Sequence, residues 1–70
     1  MDNIQKREIA EMVTGELYYM HVHPEINFPH WYLNLVCAAE QRLIMHDYAG
    51  AAHDIEQAIR GRYESMGVCL

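Results

Sequence analysis

Apolar side chains recur at helical spacing along three stretches of this chain, and nowhere do they alternate as they would in a strand. The spacing predicts helices over about residues 3–20, 29–46 and 48–66, with a longer connection over residues 21–29. A chain of 70 residues forms at most one small domain. The predicted fold is therefore a single all-α domain spanning residues 1–70, built as a small three-helix bundle.

The first helix carries a start signal at its N-terminus. Asp2 followed three residues later by Gln5 predicts an N-cap with a capping box. Gly15 should weaken this helix by roughly 1 kcal/mol relative to alanine. The side chains expected to face the core are Ile9, Met12, Val13, Leu17 and Met20.

Two prolines shape the connection over residues 21–29, because proline disfavours helical backbone at the residue before it. Asn27 is predicted to cap the second helix, with Pro29 in the first turn, where its missing N–H costs little. The core-facing side chains expected on the second helix are Tyr32, Leu35, Val36, Ala39 and Leu43.

The third helix is predicted to start with Asp47 as its cap. Its expected inward stripe is Tyr48, Ala52, Ile55, Ile59, Tyr63 and Met66, with Ala51 and Ala58 alongside. The connection between the second and third helices is very short. These two helices should therefore form an antiparallel hairpin.

Residues 47–59, DYAGAAHDIEQAI, resemble the second helix of a tetratricopeptide repeat. The likeness lies in the tyrosine after the turn, in small Ala51 and Ala58, and in bulky Ile55 between them. Arg42 departs from the repeat, since an aromatic is expected there. The likeness occurs once, whereas solenoids need about three repeats. It therefore describes a hairpin geometry and does not indicate family membership.

The second helix is apolar most of the way round, and 51% of the whole chain is apolar. This amount of apolar surface is more than the core of one three-helix bundle can bury, so part of it should be exposed. An exposed apolar patch usually marks an interface. The sequence therefore predicts a homodimer that forms through Leu33, Cys37, Ile44 and Met45. Alternatively, the connection over residues 21–29 folds back and covers this patch. Cys37 itself is expected to be a small buried hydrophobe.

Charge and composition disfavour several classes of function. Ten acidic residues against five basic ones give a net charge of −5, which disfavours direct nucleic-acid binding. The acids are spread along the chain, so mimicry of nucleic acid is only a lesser alternative. The chain has neither a Ser–His–Asp pattern nor a glycine-rich phosphate loop. We therefore expect no enzymatic activity, no catalytic residues and no cofactor.

Residues 18–32 hold most of the chain's aromatic side chains. Tyrosine and tryptophan combine a large contact area with a polar tip and are enriched where proteins bind one another. This stretch is therefore predicted to dock a partner protein. An alternative is that Phe28 and Trp31 only seal the end of the bundle. The predicted partner-binding residues are Tyr18, Tyr19, His23, Phe28, His30 and Trp31.

Three of the five histidines, His21, His23 and His30, lie in or beside the same connection. Imidazoles two residues apart in an extended segment point to one side, so this set is a conceivable zinc site. Structural zinc in small domains is usually held by cysteines, which this set lacks. The alternative is that these histidines cap, stack or lie in solvent.

Together these features predict a noncatalytic protein-binding module, an adaptor or inhibitor that regulates another protein. A metal-binding protein using the three histidines is the alternative function. The polar first ten residues do not fit a signal peptide, no apolar stretch is long enough for a membrane span, and two cysteines suit a reduced, cytoplasmic protein. Short acidic proteins of this kind often come from phages or mobile elements and act on host machinery, and by this analogy we expect the same origin and target here.

Overall fold

Residues 2–65 are described by a computed structural model and contain three α-helices and no strand. These are α1 over Asn3–Val22, α2 over His30–Ile44 and α3 over Tyr48–Ser65. Helices α2 and α3 pack closely as a hairpin, and α1 lies against both of them. The predicted all-α three-helix class is confirmed. Met66 and Cys69 lie outside the described residues, and the predicted homodimer stays a prediction.

The capping box at the start of α1 is confirmed. The Gln5 backbone N–H donates to Asp2 Oδ1 at 2.8 Å, and the Asp2 backbone N–H donates to Gln5 Oε1 at 3.2 Å. Two backbone donors at the helix start, which have no partner within the helix, are satisfied in this way. The helix continues to Val22, and His23 follows as its C-cap.

Helix α2 begins one residue after Pro29, which is its N-cap. The predicted capping by Asn27 is wrong. The Pro29 backbone is extended, and its carbonyl already accepts the N–H groups of Tyr32 and Leu33, both at 3.1 Å. The first residue of α2 is therefore His30, and Asn27 lies two residues before the N-cap, too far to cap the helix.

The turn between α2 and α3 is a Schellman motif centred on His46, whose φ of 64° is left-handed. The His46 N–H donates to the Leu43 carbonyl at 3.0 Å, and the Asp47 N–H donates to the Arg42 carbonyl at 2.8 Å. Asp47 Oδ1 then accepts the Gly50 N–H at 3.1 Å, which confirms Asp47 as the cap of α3. The left-handed residue ends α2 at Ile44, two residues before the predicted end.

The core is formed by side chains from all three helices. Its buried cluster is Val13, Tyr32, Val36, Ala39, Ile55 and Ala58. On α3 the inward stripe is Ala51, Ile55, Ala58 and Arg62. The prediction that Tyr63 faces inward is therefore wrong: its neighbour Arg62 occupies the inward position, and one residue turns a helix by roughly 100°.

Cys37 is exposed, so the expectation that it is buried is wrong. The buried face of α2 is set by Tyr32, Val36 and Ala39. Cys37 follows Val36 directly and is therefore turned away from that face by roughly 100°.

Candidate functional site

A carboxylate buried between the helices ties all three together. Glu16 on α1 accepts a hydrogen bond from the Tyr32 hydroxyl of α2, with 2.6 Å between the oxygens. It also accepts two from Arg62 of α3, through Nε and Nη2, each at 3.0 Å. Glu16 and Arg62 are each only 7% exposed. This bidentate, charge-assisted arrangement is the strong form of a carboxylate–guanidinium pair.

The surroundings of Tyr32 and Arg62 shift the pKa of each. Burial and the hydrogen bond to Glu16 raise the pKa of Tyr32 above its usual value. Burial opposes the charge of Arg62, but the hydrogen bonds and the negative charge of Glu16 outweigh it and raise the pKa of Arg62. Near neutral pH the phenol therefore stays protonated and the guanidinium stays charged. Because Glu16, Tyr32 and Arg62 together join the three helices, we call them the clamp.

Aromatic rings continue from this clamp into the connection between α1 and α2. Phe28 stacks on Tyr32, with ring centroids 5.1 Å apart. Tyr19 meets Phe28 edge-on at 5.9 Å and lies 4.7 Å from the His23 ring. Trp31 meets Tyr32 edge-on at 6.1 Å. The rings therefore support one another where α1 ends and α2 begins.

The guanidinium of Arg62 also contacts two aromatic rings. Its Cζ is 4.4 Å from the Tyr19 ring centroid and 4.8 Å from that of Tyr63. Such cation–π contacts stabilise the positive charge. The Tyr19 hydroxyl oxygen is buried and has no hydrogen-bond partner within residues 2–65. Arg62 thus organises side chains on both α1 and α3.

Trp31 lies against α3 at Gly61. A Cβ atom added to Gly61 would stand 2.6 Å from the ring atoms Cη2 and Cζ3 of Trp31. Real Cβ atoms do not approach neighbours so closely, so the indole rests on α3 because Gly61 has no side chain. The position of this ring is therefore set by one glycine.

We name this region the aromatic end: it is the end of the bundle where α1 ends, α2 begins and α3 ends. The contacts of Glu16 with Tyr32 and Arg62 place these three helix ends together. Among the predicted partner-binding residues, Tyr18 and His30 are exposed, Tyr19, His23 and Phe28 are half-buried in the ring series, and Trp31 is 39% exposed.

Sequence reasoning missed Tyr63, Glu16 and Arg62 at the aromatic end. The spacing of apolar residues places Tyr63 in the core and gives Glu16 no role. The inward positions of Glu16 and Arg62 could have been found from their spacing. Glu16 follows Val13 by three residues, and Arg62 follows Ala58 by four. Two opposite charges that fall on inward stripes indicate a buried pair.

The three candidate zinc ligands are not brought together. His23 Nδ1 lies 3.0 Å from Glu25 Oε2, and this hydrogen bond holds the pKa of Glu25 below its usual value. His21 and His30 are exposed. Across residues 2–65 no group of three histidine, cysteine or acidic side chains is placed to hold one metal ion.

The opposite end of the bundle carries a different apolar surface. Lys6 Nζ lies 5.3 Å from the Tyr48 ring centroid, so α1 and α3 both begin here, beside the end of α2. Ile4, Ile44 and Met45 are 71%, 66% and 75% exposed. Of the other residues predicted to self-associate, Cys37 is exposed, whereas Leu33 packs partly against the core. We name Ile4, Ile44 and Met45 the aliphatic end.

Gly15, in the middle of α1, is not required by the packing of this chain. A Cβ atom added there would meet no atom within 4 Å. An interior glycine weakens a helix by about 1 kcal/mol relative to alanine, and here nothing among the described residues offsets that cost.

Comparison of the chain with protein-family models, with curated proteins and with solved structures gave no match. None of the described helices combines the length and apolar character needed to cross a membrane. No cavity is present among residues 2–65.

Proposed function

We propose that this chain is a noncatalytic protein-binding module, an adaptor or inhibitor that regulates another protein through its aromatic end. One observation carries the proposal: Tyr18, Trp31 and Tyr63 are 65%, 39% and 57% exposed around the same end of the bundle. Large exposed aromatic side chains with polar tips are the type most enriched among residues that dominate protein binding.

The aromatic end is also held in place before any partner arrives. Tyr63 lies against the charged group of Arg62, and Trp31 lies against Gly61 and Tyr32. Side chains that are ordered beforehand lose less conformational entropy on binding, so more of their contact energy contributes to affinity.

Capture experiments with paired variants test this proposal. Wild-type chain, a Tyr18→Ala/Tyr63→Ala variant and a His53→Ala/Gln57→Ala control at exposed positions of α3 are each immobilised and exposed to lysate of the cells that encode the protein. We expect a protein that is retained by wild type and by the control but lost from the aromatic variant. Capture that is unaffected by the aromatic substitutions contradicts the proposal. Both variants must keep the helical circular dichroism of the wild type.

We also propose that the chain forms a homodimer through the exposed side of α2 and the aliphatic end. The exposure of Ile44, Met45 and Cys37 supports this, because burying such a patch is favourable at about 25 cal/mol per Å² of apolar surface. Light scattering at micromolar concentration should give twice the mass of the chain, and Ile44→Asp should halve it. A monomer mass for wild type contradicts the dimer.

A cytoplasmic location is proposed as well. The exposed Cys37 thiol supports it, since reducing compartments keep such thiols from oxidising. Expression of a tagged chain in its own cells, followed by fractionation, tests this directly. Recovery from the secreted fraction contradicts it.

A further inference from the structure

An exposed stripe runs along the outward face of α1. Glu8, Glu11, Gly15, Tyr18 and Val22 are separated alternately by three and four residues, and all five are exposed. Residues three and four apart share one face of a helix, so these five positions form a single surface. The face is distinct from the one that carries Ile9, Val13 and Glu16 into the bundle.

Gly15 stands at the middle of this outward face. No atom lies within 4 Å of the place where its Cβ would be, so the bundle itself leaves this site open. A residue without a side chain lets the backbone of a second helix approach closely. Tyr18 and Val22 beside it supply apolar contact area at the aromatic end.

The charges on this face indicate the chemistry of what covers it. Glu8 and Glu11 are exposed, and neither forms an ion pair within residues 2–65. A partner surface that covers these carboxylates must supply cations, because removing an unpaired carboxylate from water costs free energy. The same face of a second copy fits poorly, because it would add two more carboxylates and no cation.

We propose that the outward face of α1 docks an amphipathic helix of a partner protein, with lysine or arginine opposite Glu8 and Glu11 and an apolar stripe over Gly15, Tyr18 and Val22. This inference rests on the proposed protein-binding function and names its class of partner. The partner helix lies along α1 and reaches the aromatic end, where Tyr18 belongs to both surfaces.

The experiment uses the full chain and a fluorescent leucine–lysine amphipathic peptide as long as α1, with a leucine–glutamate peptide of the same pattern as its control. Fluorescence anisotropy should show binding of the lysine peptide that weakens as salt is added, and no binding of the glutamate peptide. Gly15→Leu should lower the affinity about tenfold or more, because the added side chain separates the helices. It should not lower the thermal midpoint of the chain, since leucine is the better helix former.

Gln57→Leu adds the same side chain to an exposed position of α3 and should leave the affinity unchanged. Failure of the lysine peptide to bind overturns the inference, as does binding that Gly15→Leu leaves intact. A wild-type dimer that Gly15→Leu converts to a monomer also overturns it, because a second copy then covers this face. None of these outcomes affects capture through Trp31 and Tyr63, so the proposed function can stand when this inference fails.

Discussion

Replacing Glu16 by glutamine tests whether the buried clamp holds the three helices together. Glutamine keeps the shape of the side chain and can still accept a hydrogen bond, but it leaves the buried charge of Arg62 without a counter-charge. Breaking a buried ion pair from one side costs about 3–5 kcal/mol. The net stability of a domain this small is of the same order, about 3–5 kcal/mol. Glu16→Gln should therefore unfold most of the protein at room temperature.

The same reasoning predicts that replacing the whole network restores folding. Glu16→Leu with Arg62→Met removes both charges but leaves the Tyr32 hydroxyl buried without its acceptor, which costs about 1–3 kcal/mol. Adding Tyr32→Phe removes that hydroxyl too. The triple variant should be as stable as wild type or more stable by about 1–4 kcal/mol.

Urea unfolding followed by far-ultraviolet circular dichroism measures these differences, and a stabilising osmolyte allows the single variant to be measured when it is mostly unfolded. The reasoning is refuted in either of two cases. One is a loss of less than about 1 kcal/mol for Glu16→Gln, the value of a solvent-exposed pair. The other is a triple variant no more stable than Glu16→Gln.

Four further substitutions have defined outcomes. Tyr19→Phe should raise the free energy of unfolding by about 1 kcal/mol in urea titration, because it removes a buried hydroxyl that has no partner within residues 2–65; a loss of stability would show that the hydroxyl is satisfied. Gly61→Ala should cost about 1–3 kcal/mol and change the fluorescence of Trp31, whereas Gly15→Ala should gain about 1 kcal/mol and leave it unchanged; equal effects would contradict the glycine contacts. His46→Gly should gain about 1 kcal/mol by thermal melting, since glycine adopts the left-handed backbone without strain, and a loss would contradict it.

The helices and most of the core were predictable because they depend on local patterns. The spacing of Val36 and Ala39 on α2 and of Ile55 and Ala58 on α3 places these residues on inward faces, and the structure buries all four. The caps at Asp2 and Asp47 were predictable for the same reason, since a cap involves residues only three positions apart.

The clamp at the aromatic end was not predicted, because it depends on contacts between residues far apart in the chain. Glu16 and Arg62 are 46 positions apart, and each alone is the type of residue normally left in solvent. The sequence pattern places Tyr63 in the core because its side chain is partly apolar and falls near the inward stripe of α3. Arg62 holds the inward position instead, because its charge pairs with that of Glu16.

The clamp also determines how α1 is aligned along the hairpin. Apolar side chains alone permit a helix to slide by one turn, because similar residues recur at each turn. A slide of one turn, about 5.4 Å, would carry the Glu16 carboxylate away from the guanidinium and leave two unpaired charges in the core. The clamp therefore adds an electrostatic penalty to every slipped alignment of α1. An all-apolar replacement that gains stability would lose this penalty and leave the alignment to shape alone.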